Sequence, residues 1–139
     1  MAATGTEMRT RQGTGSMAAR VLLVLAGVLI ILGLVLPEFP GGSFIDCNDE
    51  VGICVATTLE HGSPLIPVVI ALVALGRGAG AVGYARGLAL AAGIGAVLIF
   101  GAHLAYPFFR NEPVGLAVYP GLGAGVVLFV AVWRLRSPA

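Results

Sequence analysis

The chain has 139 residues, 58% of them hydrophobic and only 11% charged, with a formal net charge of +1. Soluble domains carry charge on about a quarter of their residues, so an ordinary soluble fold is excluded and one small membrane domain is indicated. The near-neutral balance and the lack of a basic run argue against nucleic acid as a partner.

All eight cations are arginine, in a background of Ala, Gly, Val and Leu. That bias fits a high-GC bacterial genome, and the location it implies for an apolar chain is the plasma membrane. Residues 1–16 hold Thr4, Thr6, Thr10, Thr14, three glycines, Glu7, Arg9 and Arg11 without apolar periodicity. They read as a disordered cytoplasmic tail ahead of a single membrane domain, residues 17–136.

The first span covers 17–36. Its heart, Val21 to Leu36, is sixteen residues without a polar side chain, about 24 Å of helix, and Met17 to Ala19 with a snorkelling Arg20 extend it toward the roughly 30 Å of a hydrocarbon core. Pro37, Glu38, Phe39, Pro40 and Gly41 follow it with no small-x-small cleavage site, so the run reads as an uncleaved anchor and not as a signal peptide. Residues 37–63 form the only long polar segment. It carries Glu38, Asp46, Asp49, Glu50, Glu60 and both cysteines, Cys47 and Cys54, and no arginine. An acidic, cation-free, cysteine-bearing loop is what the extracytoplasmic side accepts.

Ser63 and Pro64 resemble an N-cap and a first helical residue, opening a second span over 64–84. Continuity through Gly76–Gly80 supplies the length, with Arg77 snorkelling inward; a helix broken at this Gly-Arg-Gly-Ala-Gly run is the alternative. A third span covers 87–106 and stops at Pro107. After the short outer loop 107–113, a fourth covers 114–133 and closes on Arg134 and Arg136. The expected fold is an all-α integral membrane bundle of four transmembrane helices, with one long extracytoplasmic loop between the first two.

Orientation follows from the arginines. Seven of the eight fall on one side of this arrangement, with Arg110 alone on the other, which places both termini in the cytoplasm. Helix packing follows from small residues, because apolar attraction between helices vanishes in lipid and close backbone approach replaces it. Gly87, Ala91 and Gly95 recur at four-residue spacing in the third span, and Ala117, Gly121 and Gly125 in the fourth. The two stripes are expected to face each other or to mediate oligomerisation.

Three features bear on chemistry. Cys47 and Cys54 are spaced to close an eight-residue ring, a structural disulfide worth about 2.5 kcal/mol in the chain-entropy model. Redox exchange would favour Cys-x-x-Cys at a helix N-terminus, and Asp46, Asn48, Asp49 and Glu50 lack the ligand spacing of a calcium loop. His103 lies one turn inside the outer end of the third span, at the depth of Tyr119 and Pro120. Pro120 would deprive the Leu116 carbonyl of its helical donor, so His103 is expected to bond to that carbonyl or to the Tyr119 hydroxyl; the alternative is a ligand pocket built on His103 and Tyr119. His61 falls outside the second span in this reading, which disfavours a two-histidine haem. Finally, every Asp and Glu lies in a loop or tail, against ion-coupled transport.

No catalytic set, metal cluster or cofactor motif emerges. The function expected from sequence is a non-enzymatic accessory, assembly or structural subunit, with the lipid bilayer and a membrane protein partner, or further copies of itself, as its contacts. Small-molecule or cofactor binding at His103 and Tyr119 ranks second and thiol-disulfide exchange third.

Overall fold

Long apolar stretches can survive in lipid only by satisfying their own backbone hydrogen bonds, which selects helix. The computed structural model describes residues 5–36, 58–110 and 114–135, and among these every regular element is helical. The elements are α1 (Gly5–Val35), α2 (58–62), α3 (Leu65–Gly76), a 3-10 turn at Ala79–Ala81, α4 (Val82–Phe109) and α5 (Val118–Arg134). Met17–Val35, Thr58–Gly76 and Val82–Ala105 are long and apolar enough to cross a membrane, and Val118–Arg134 is a fourth, shorter apolar helix.

Helices α1, α3, α4 and α5 form a four-membered ring in which each packs on the next and α5 closes back on α1. Neighbours run antiparallel. Gly121 and Gly125 of α5 lie against Phe100 and Val97 of α4, while Gly27 of α1 faces Leu65 and Val68 of α3. Arg20, Arg77, Arg86 and Arg134 consequently share one end of the bundle, and Arg110 stands at the other.

The interior is built from small residues. Eleven of the nineteen buried hydrophobic residues are alanine, whereas Val21, Val24, Val28, Ile66, Val69, Val73, Leu98 and Val126 point outward. In water this would be an unfavourable inversion, because each outward aliphatic forgoes about 1.5–3 kcal/mol of burial. In lipid it costs nothing, and the small interior lets backbones approach and gain dispersion contact.

Several boundaries differ from the sequence expectation. The second helix does not continue through Arg77: α3 ends at Gly76, and Gly78 takes φ 127°, a left-handed conformation natural only to glycine. Three glycines in five residues make continued helix costly, and the chain recovers spanning length at the other end by starting at Thr58. Ser63 therefore does not cap a helix; its hydroxyl donates to the Glu60 carbonyl at 2.7 Å, closing α2, and Pro64 takes the N-cap position of α3. Helix α4 begins at Val82, five residues early, and runs through Pro107 to Phe109. So near a helix end the missing amide removes a single bond, which a membrane helix tolerates. Helix α5 begins at Val118 and not at 114, and α1 extends back to Gly5 where a disordered tail was expected. An established helix propagates cheaply through straight-chain residues such as Glu7, Met8, Arg9 and Arg11.

Arg20 also departs from snorkelling. Its Nη2 donates to the Leu75 carbonyl at 2.8 Å, occupying one of the carbonyls that α3 leaves open in its last turn and placing a cation at the negative end of the helix. Replacing Arg20 by Gln should cost about 1–2 kcal/mol, the scale of a charge-assisted bond at a partly buried site. Thermal unfolding in detergent reads this directly, and a wild-type midpoint would show that the bond contributes nothing.

The α4–α5 contact sets glycines mainly against large side chains, with one backbone approach, the Gly93 carbonyl lying 3.6 Å from the Cβ position of Gly125. A Cβ on Gly121 would collide with the Phe100 ring, one on Gly125 would sit 2.6 Å from Val97 Cγ2, and one on Gly93 3.3 Å from the Leu128 Cβ. The expected third-span stripe lies elsewhere: a Cβ on Gly87 meets nothing, Ala91 is exposed, and Gly95 faces Pro64 at 3.7 Å. Holes lined by one helix's glycines are filled by knobs from the other, and Val97 and Phe100 are the knobs. Gly121→Ala should therefore destabilise the bundle by about 1–3 kcal/mol, the loss should be partly reversed by Phe100→Leu, and Gly87→Leu should change stability by less than about 0.5 kcal/mol. Equal sensitivity at Gly87 and Gly121 would contradict this packing.

Candidate functional site

One polar side chain is buried among the described residues, that of His61, only 1% exposed. It sits on α2, the five-residue helix that prolongs α3 past the Ser63–Pro64 turn. This placement brings it to the third span. The His61 ring centre is 4.5 Å from that of His103 on α4, with the planes inclined at 55°. On its other side His61 meets Phe100 nearly edge to face, at 5.4 Å and 75°.

Phe100 and His103 are three residues apart and so share one face of α4. A single helical turn therefore presents an aromatic floor and an imidazole, and α2 lays a second imidazole across both. The floor is rigid. The Phe100 ring is fully buried, stands on Gly121, and lies 3.1 Å from the Cβ position of Gly33, a position also 3.3 Å from the Ala117 carbonyl oxygen. Three helices thus fix the ring from below and from the sides.

His103 is partly buried. Glu60, exposed and next to His61, lies within electrostatic reach of it. The pair is consequently two imidazoles side by side on an apolar base, with a carboxylate near the rim. Such an arrangement can share a proton or hold an electrophile between ring nitrogens, since a neutral imidazole offers one donor and one acceptor nitrogen.

Sequence reasoning placed His103 one turn inside the outer end and had no means of bringing His61 to it, because His61 was assigned to the loop 37–63, outside the second span. The missing signal was the position of the second helix: once the glycine run is read as a break, Thr58–Gly76 supplies 19 residues, long and apolar enough to cross a membrane. Tyr119 is 58% exposed in the first turn of α5. Pro120 is the third residue of that helix, where backbone amides have no helical acceptor in any case, so it creates no open carbonyl at Leu116. Ala117 is buried against the Phe100 cluster. Cys47 and Cys54 lie outside the described residues, as do Asp46, Asn48, Asp49 and Glu50.

Compared with known protein families, characterised proteins and solved structures, the chain matches none.

Because the two rings touch, their contributions to stability should not add. A cycle of His61→Leu, His103→Leu and the double variant should give a coupling energy of about 0.5–1.5 kcal/mol from unfolding in detergent. Additive losses would show that the rings are held independently.

Proposed function

We propose that this protein is a non-enzymatic accessory or assembly subunit of a membrane, crossing the bilayer four times with both termini in the cytoplasm. The observation that carries the reading is the filling of the bundle. Among the described residues the interior is closed by Ala, Leu, Val and Phe100, no carboxylate is buried, and His61 is the one polar exception. Moving a solute or coupling to an ion gradient calls for a polar path through the hydrocarbon, and a packed apolar interior supports a scaffold instead. The outward aliphatic faces of α1, α3 and α4 suit lipid and neighbouring membrane helices.

The arginine distribution supports the orientation. Four described arginines cluster at one end with the exposed aromatics Tyr84 and Trp133, and positive charge is retained on the cytoplasmic side. The loop between α1 and α2 then lies outside, where a Cys47–Cys54 disulfide would persist and give that loop a fixed contact surface. The membrane is that of a bacterial cell in this reading.

Two measurements test it. Alkaline phosphatase fused after Asp49 or Asn111 should be active and after Arg86 or Arg136 inactive; activity at Arg86 would refute the four-span orientation. The full-length protein, extracted from its native membrane in mild detergent, should carry a stoichiometric membrane protein whose retention weakens when Cys47 and Cys54 are both replaced by serine. Recovery as a lone chain that transports or transforms a solute would overturn the accessory role.

A further inference from the structure

We propose that His61 and His103 form a two-imidazole binding site for a late first-row transition-metal ion, copper above all and zinc more weakly, at the end of the bundle where α2 meets α4. The argument is geometric. Metal–nitrogen bonds to histidine are about 2.0–2.1 Å, so two imidazoles bound side by side to one tetrahedral or tetragonal ion hold their ring centres roughly 5 Å apart, and two bound on opposite sides of an ion hold them roughly 6.5 Å apart. The observed separation is 4.5 Å with the rings inclined at 55°. Adjacent ligation needs a shift of about half an ångström, within the reach of small side-chain rotations; opposed ligation, the arrangement of a two-histidine haem, does not fit.

The surroundings favour the same ion class. Among the described residues no third His, Cys, Asp or Glu joins the pair, so the chain supplies two ligands and leaves the remaining positions to water or to an external donor. A site of two neutral nitrogens and open positions is poor for calcium or magnesium, which demand oxygen cages, and follows the order in which copper binds most tightly. Glu60 at the rim offsets part of the cation's charge without ligating it. The pair is also preorganised. His61 is held by its edge contact on Phe100, and Phe100 is itself seated on Gly121, so little ordering remains to be done on binding.

The site does not depend on the accessory role proposed above, because binding is read on the isolated chain and the role on co-purification. The test uses the full-length protein, oxidised, in detergent micelles and carrying no polyhistidine tag, with Cu²⁺ as probe. One Cu²⁺ per chain should bind, and pulsed electron paramagnetic resonance should show modulation from the remote nitrogens of two coordinated imidazoles. His103→Gln or His61→Gln should lower the affinity at least tenfold and reduce the spectrum to one imidazole, with Zn²⁺ competing at higher concentration. Wild-type protein whose copper signal shows no imidazole nitrogen would overturn the proposal without recourse to any variant. So would undiminished affinity in both single variants, which would leave the two rings as a packing contact.

Discussion

The bundle depends on the ring of Phe100 lying on the backbone of Gly121. No Cβ fits beneath that ring, so α4 and α5 reach a separation that a larger residue would forbid, and the same ring closes against Gly33 of α1 and the edge of His61. One side chain on α4 therefore contacts three other helices, α1, α2 and α5. The rest of that half of the bundle is arranged so that this is possible: Ala96 and Ala117 flank it, and Leu34, Leu36, Ile99 and Leu122 pack around it. Where hydrophobic burial no longer distinguishes inside from outside, shape does, and a large knob in a glycine hole is the most specific shape two helices can offer each other.

At the opposite end the constraint is polar. Helix α3 stops at Gly76 within the bundle, and its last carbonyls need donors that lipid cannot supply. Arg20 meets one of them from α1. The contact ties the start of the first apolar helix to the end of the second and fixes their relative height, which packing of Gly27 against Leu65 and Val68 maintains further along. Polar fixation at one end and aromatic packing at the other leave the middle free to be alanine.

The number of helices and their apolar character were legible in the sequence, because each rests on composition summed over many residues. Exact limits were not. Whether the second helix occupies 58–76 or 64–84 is decided at Gly78, where positive φ ends the helix, and a Gly-Arg-Gly-Ala-Gly run is compatible with either outcome until packing chooses. The faces of α4 failed for a related reason. Small-residue spacing marks where a backbone may approach, yet Gly87 and Ala91 satisfy it as well as Gly93 does, and what separates them is the presence of Leu128 and Phe129 opposite Gly93. In the fourth helix Gly121 and Gly125 face Phe100 and Val97 of α4.

The meeting of His61 and His103 is the far consequence of that same choice of register. With α3 ending at Gly76, the chain must begin its second crossing near Thr58, and 19 residues then give about 28 Å of helix. This draws Glu60 and His61 from the loop to the top of the bundle and sets the Pro64 turn against Gly95. A helix continued through Arg77 would reach the same thickness from 64 onward and leave His61 about one turn, roughly 5 Å, beyond the bundle, too far to touch His103 or the edge of Phe100. The break at Gly78 and the imidazole pair are thus two ends of one length constraint: a glycine at the arginine-rich end determines which polar residues the opposite end brings together.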